Sequence, residues 1–185
     1  MTIQNQIPFL PSAWTTELAG LSLGQRFVDP RTGYEYKLFQ LHTACAPNDE
    51  IDDGEVLGFQ DWTLSIVTND VSLCEALDTN YIKPAGVADL GTVDIPESSA
   101  SVTKYVLLMV KGKKTIKTDG GDDITAGDTL IIDPTVDGTC DSIDADEDIG
   151  TTALNQGDFG EVIGRAIDDD DNTADTVLAY IDIKD

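Results

Sequence analysis

Residues 176–183 constrain this chain more than any other stretch. Val177, Ala179, Ile181 and Ile183 alternate with Thr176, Leu178, Tyr180 and Asp182, which is the two-residue period of a strand with one buried face. A second run, Gly160 to Ile167, precedes it across Asp168-Asp169-Asp170-Asp171-Asn172. That connection has nothing apolar to bury and repels itself, so the pair reads as a β-hairpin arm joined by a loop that bulges into solvent. The chain stops two residues past the second strand, and a terminus tied into a sheet predicts a strand that completes the core.

Other runs repeat the pattern. Gly24 to Val28 and Tyr34 to Leu41 flank the turn Asp29-Pro30-Arg31-Thr32-Gly33 and predict a hairpin. Tyr34, Tyr36, Leu38 and Gln40 share one face of its second strand, and Glu35, Lys37, Phe39 and Leu41 the other. Neither face is cleanly polar, as expected of a strand covered on both sides. Thr43 to Gly58 is acidic and unpatterned and reads as a loop, whereas Trp62 to Val67 alternates and reads as a strand. Asp70 stands where an N-cap would, before Val71 to Leu77, for which a short helix and a strand both fit. Further strands are expected at 84–88, 104–112, 113–117, 124–128 and 129–132, with Tyr105 to Val110 the most buried. Short strands between glycine turns indicate a mainly β fold, a small β-sandwich or barrel-like domain with at most one or two short helices.

Residues 1–23 differ from the rest. They carry only Glu17 as a charged side chain, and Pro8 and Pro11 disfavour both helix and central strand. We read them as an extended N-terminal arm ahead of a β-rich domain over 24–185, with a possible sub-division near 90–104. Ile7, Phe9, Leu10 and Trp14 are the apolar anchors that such an arm could lay into a groove on a partner. A strap over the chain's own core is the alternative.

The formal charge is −24, from 35 acidic and 11 basic residues. That balance argues against direct grip on nucleic acid or an anionic membrane, because phosphate binding needs clustered Lys and Arg. From Asp119 onward there are 20 acidic residues against Arg165 and Lys184 alone. The one basic cluster, Lys111, Lys113, Lys114 and Lys117, lies just before that half and reads as counter-charge to it. The longest apolar run, 105–110, is far short of the roughly 20 residues that span a bilayer, so cytosolic synthesis without membrane attachment is expected. Cys45, Cys74 and Cys140 have no CxxC spacing and read as small apolar residues rather than disulfide or zinc ligands.

Catalytic chemistry has little to stand on. His42 is the only histidine, and no GxSxG, GxxxxGK[ST] or GxGxxG occurs. Asp144 to Asp148 and Asp168 to Asn172 begin like calcium loops, but position six is Ile149 or Thr173 and position twelve Asn155 or Ala179. Both depart from the Gly and bidentate Glu of such a loop. We therefore expect no catalytic site, no cofactor and no metal site.

The order of segments carries a resemblance. Residues 24–41 read G…V-x-D-x-x-T-G-x-E-Y, 85–88 A-G-V-A, 110–112 V-x-G, 124–130 I-x-A-G-D-x-L and 163–167 I-G-R-A-I, before a final strand. In that order they resemble tailed-phage head decoration, or capsid cement, proteins over most of residues 24–183. The resemblance implies a non-enzymatic β-rich virion protein on the outer surface of the head, made in the host cytoplasm. It would bind the major capsid protein and clamp neighbouring copies of it, often as a homo-oligomer with a trimer favoured. The strong acidity and the 43–80 stretch depart from the pattern. A β-sandwich module for carbohydrate or another ligand, displayed on a virion, is the alternative, and an exposed Trp62 or Trp14 would favour it.

Overall fold

The computed structural model describes residues 14–15, 20–45, 50–78, 81–91, 95–96, 102–120, 124–143, 162–170 and 175–184. The strands are β1 (Trp14–Thr15), β2 (Arg26–Val28), β3 (Glu35–Leu41), β4 (Glu50–Ile51), β5 (Val56–Asp61), β6 (Ile66–Thr68), β7 (Ala76–Asp78) and β8 (Tyr81–Ile82). They continue as β9 (Pro84–Ala88), β10 (Ile95–Pro96), β11 (Tyr105–Lys117), β12 (Thr129–Ile132), β13 (Cys140–Ile143), β14 (Gly164–Ala166) and β15 (Thr176–Asp182). Among the described residues the only helical element is a 3₁₀ turn, Val71–Leu73, capped by Asp70 Oδ1, which accepts from Ser72 N at 2.9 Å.

Five strands close a ring: β11 pairs with β9, β9 with β5, β5 with β6, β6 with β3, and β3 with β11. The fold is thus mainly β, built on a closed five-stranded barrel with further strands attached. Only the β3–β6 pair is parallel within the ring. Closure pairs these strands with one another, and β1 and β2 cover edge positions of β11 and β3 that the ring leaves, which is how an all-β chain avoids edge-to-edge association.

The long strand β11 organises everything else. Its first half belongs to the barrel, and its second half leaves it to pair with β15, from Lys111↔Asp182 to Lys117↔Thr176. A second sheet follows in the order β11, β15, β14, β12, β13. The change of direction occurs at a register shift between Met109 and Lys111, next to Gly112 with φ +150°. A Cβ there would sit 2.8 Å from the Tyr34 ring, so the bend needs glycine for both space and backbone angle.

Two cores result. Phe39, Leu41, Ile51, Leu57, Val67, Ala85, Val106 and Leu108 fill the barrel. Tyr36, Leu38, Val56, Val87 and Met109, on the outer wall of the barrel, meet Ile116, Leu130, Ile132, Val177, Ala179 and Ile181 from the second sheet in the other core. β3 therefore buries both faces, as its pattern predicts. β15 buries one face, at Val177, Ala179, Ile181 and Ile183, and pairs with β14 through Arg165↔Tyr180.

Several expectations need correction. The 43–58 stretch is not a loop throughout, because it contains β4 and the start of the barrel strand β5. Val56, Leu57 and Gly58 are a continuous buried run, and a strand covered on both sides shows no alternation to read. Residues 62–65 are a turn rather than a strand, and the strand is only 66–68. Residues 104–112 and 113–117 are not two strands but one, β11, with the register shift between Met109 and Lys111 lying just before the expected break. Residues 124–128 are a turn before β12. The most buried strand is β9, all five residues of which are buried, not 105–110. The acidic connection bulges less than expected at its start: Ala126 N donates to Asp169 Oδ1 at 3.0 Å, and Thr118 Oγ1 to Asp170 Oδ2 at 3.1 Å. Residues 171–174 lie outside the described residues.

Candidate interaction surfaces

The lysines of β11 divide by partner. Lys114 reaches across to the loop between β4 and β5, donating to both Asp53 oxygens at 2.7 Å and to Asp89 Oδ1 at 2.9 Å. Tyr36 Oη donates to the other Asp89 oxygen at 2.8 Å. Lys117 donates to Asp52 Oδ2 at 2.6 Å and Glu55 Oε1 at 3.1 Å, and Asn69 Nδ2 donates to Glu55 Oε2 at 2.8 Å. These lysines are counter-charges, but to carboxylates at 52–89 rather than to the acidic half after Asp119. Pairing across the sheet decides the partners, and nearness in sequence does not.

This seam locks the acidic loop onto β11. Burial alone would push Asp53 up, but the Lys114 ammonium and the Leu90 and Gly91 amides bring its carboxyl below the usual range. Burial likewise works against charge on Lys114 and Lys117, and their carboxylate partners outweigh it, so both are raised. Glu55 is the exception. Its side chain is only 5% exposed, and burial holds its carboxyl above the usual range despite Lys117 and Asn69.

The outward face is different. Cross-strand partners project on the same side of a sheet, so the register places Val28, Glu35, Lys111 and Asp182 in one row across β2, β3, β11 and β15. Lys113, Tyr180 and Arg165 form the next row across β11, β15 and β14. Arg26 and Lys37, directly opposite each other, flank the first row where this side of β3 runs on into the barrel at Phe39 and Leu108, and Lys184 continues the exposed side of β15. Leaving aside Lys117, which shares this side of β11 but is held by Asp52 and Glu55, six of the eleven basic residues share this face with Glu35 and Asp182 and, at the far edge on β13, Asp141. Arg26 donates to Glu35 Oε2 at 2.7 Å, Lys111 lies 3.5 Å from Glu35 Oε1, and Lys184 pairs with Asp182. Among the described residues Lys113 and Arg165 form no ion pair with a carboxylate; Arg165 Nη1 donates to the Gly127 carbonyl at 3.4 Å. A shallow groove of about 190 Å³ runs along this face between Val162, Arg165, Tyr180, Asp182 and Lys184, with Asp182 paired to Lys184. Its floor is set by Gly164, where a Cβ would stand 2.0 Å from the Tyr180 carbonyl oxygen.

Like charges held side by side have a local effect. Lys37 is lowered from its usual range, first by burial and then by Arg26 and Lys83, with Glu35 opposing. Lys83 also stands 4.9 Å from the Trp62 ring centroid and 5.7 Å from that of Phe59. Trp62 is 53% exposed, in a turn that Asp61 braces by accepting from Thr63 N, Thr63 Oγ1 and Leu64 N at 2.9, 2.7 and 3.0 Å.

Of the arm anchors expected from sequence, Ile7, Phe9 and Leu10 lie outside the described residues. Trp14 is placed by its backbone: β1 pairs antiparallel with β11 through Trp14↔Val106 and Thr15↔Tyr105. The cationic face is not legible in the sequence, because its residues are scattered over five strands; period-two spacing at Lys111, Lys113 and Tyr180 is its only local trace. His42 Nδ1 accepts from Ala44 N at 3.1 Å. Cys45 and Cys140 are buried free thiols, and burial pushes the half-buried Cys74 thiol up to about 12. Among the described residues no three His, Cys, Asp or Glu side chains are grouped to hold a metal.

No family model and no curated protein matches the chain. Among solved structures it is similar to the head fiber gp8.5 N base in bacteriophage phi29, at 17% identity and TM-score 0.44 over 79% of this chain and 93% of that one. It is also similar to a chain of the capsid of Myoviridae phage XM1, at 14% identity and TM-score 0.45 over 91% of this chain and 94% of that one.

Proposed function

We propose that this chain is a non-enzymatic structural protein of a phage virion, a cement that binds the outer surface of the head and bridges neighbouring major capsid proteins. The observation that supports this most is the root of the N-terminal segment. Residues 1–13 carry no charged side chain in a chain of net charge −24, and β1 fixes the position from which they depart by pairing with the most connected strand, β11. An uncharged segment bearing Ile7, Phe9 and Leu10, anchored at a rigid barrel, suits an arm laid along a shell while the acidic body faces solvent.

The mechanism is mechanical. Binding to the assembled lattice adds buried contact across capsomer boundaries and raises the barrier to rupture. Homo-oligomerisation, with a trimer favoured, would let avidity substitute for single-site affinity. Cosedimentation with capsids of the encoding phage that lack the protein tests this. Saturation at a fixed ratio is the expected result, with lower occupancy after deletion of residues 1–13; absence of binding by the full chain overturns it.

A second reading, a carbohydrate or other ligand-binding module displayed on the virion, is favoured by the half-exposed Trp62 beside Lys83.

A further inference from the structure

We infer that the cationic sheet face, with the Lys113–Tyr180–Arg165 row at its centre, is the surface by which the body of this protein docks on a carboxylate-bearing patch of the shell subunit. The inference rests on the decoration reading and adds a second attachment point to the arm.

Charge distribution is the first argument. A chain with more than three acidic residues for each basic one would, without selection for position, show an acidic majority on every face. Here the strand register gathers six cations, Lys117 aside, with three carboxylates, Asp141 at the far edge and Glu35 and Asp182, which are already engaged by Arg26, Lys111 and Lys184.

The composition of the face is the second argument. Arg and Tyr are the residues that carry binding energy at protein interfaces, and Tyr180, 41% exposed, sits between Arg165 and Lys113 with the exposed Val28 on the neighbouring row. The groove beside Tyr180 is smaller than the roughly 300–1,000 Å³ of a site for a drug-sized ligand, so it takes a single side chain. With Asp182 in its lining paired to Lys184, the Arg165 guanidinium at its wall favours a planar carboxylate, which it can bind through two parallel hydrogen bonds.

Placement is the third. The arm root at Val106 and the face at Lys113 lie on one strand, seven residues or roughly 23 Å apart at the rise of a β-strand. Thirteen residues of arm span up to about 45 Å, so arm and face can engage neighbouring shell subunits at once. A second copy of this chain is the less suitable occupant, because two bodies of net charge −24 repel each other once their surfaces come within a Debye length, about 8 Å.

The test compares the full chain, R165E/K113E, and the exposed off-face control D168K for binding to capsids lacking the protein, at about 50 and about 500 mM NaCl. Circular dichroism and light scattering monitor fold and mass. The expected result is at least a tenfold weaker binding of R165E/K113E at low salt, a smaller salt dependence than the parent, and no loss for D168K. Parent-like binding by R165E/K113E overturns the docking face while leaving the decoration reading intact. Failure of the unmodified chain to bind overturns the decoration reading and this inference with it. A fall in solution mass confined to R165E/K113E overturns the shell partner in favour of a second copy.

Discussion

The barrel and the second sheet share β11, yet they solve opposite problems. In the barrel, β3 and β9 are buried on both faces, one lining the barrel and the other packed beneath the second sheet. In the second sheet, β15 has one buried face and one that stays in solvent. The contrast teaches where function can reside. A doubly covered strand is spent on stability, and a singly covered one keeps every second residue available for recognition.

Leu108 and Tyr180 break that comparison most directly. Leu108→Ala, at a fully buried barrel position, should cost about 2–5 kcal/mol, read as a lowered urea midpoint at constant m-value. Lys114→Met cuts the seam that holds Asp53 and Asp89 against β11. It should cost about 2–3 kcal/mol, and double-mutant cycles with Asp53→Asn should show coupling that Lys113 lacks.

Gly164→Ala tests the second sheet alone. Its Cβ would overlap the Tyr180 carbonyl, and overpacking against backbone should cost about 1–3 kcal/mol. Hydrogen exchange should show β14 and β12 losing protection while the barrel strands keep theirs.

The seam also predicts a pH window. Asp53 is lowered in the folded state, so the stability it contributes is present above its ordinary pKa near 3.8 and is lost as pH falls through its lower folded value. Lys114 and Lys117 are raised. Their contribution is complete below about 10.5 and is lost as pH rises through their higher folded values. Denaturation at stepped pH should show both declines, and Lys114→Met should flatten the alkaline one. Glu55, raised by burial, works the other way, favouring the folded state when protonated. The smallest effect is expected at Tyr180→Ala, within about 0.5 kcal/mol of the parent; a loss as large as that of Leu108→Ala would show that the outer face is part of the core.

Legibility followed the same division. The alternation of Val177, Ala179, Ile181 and Ile183, the Asp29 to Gly33 turn and the Asp70 cap were readable, because each is a local pattern with a local cause. The strand at Val56-Leu57-Gly58 was hidden, since burial on both faces removes the polar half of the period. Trp62 to Val67 misled for the opposite reason: the alternation there begins in a turn that Asp61 and the positive φ of Ser65 hold in place, and only its end belongs to a strand. The pairing of Lys114 and Lys117 with residues 52–89 could not be read from spacing, as it depends on which loop lies beside β11.

By itself the sequence determined the mainly β character, the singly buried last strand, the acidity and the uncharged N-terminal segment. These follow from residue type and short-range period, which need no partner to be defined. Only the tertiary structure decided that five strands close into a barrel, that β11 leaves it at Gly112, and that Arg26, Lys37, Lys111, Lys113, Arg165 and Lys184 come to one face. The physical reason is register: hydrogen bonding between strands distant in sequence fixes which side chains become neighbours, and no local window contains that information.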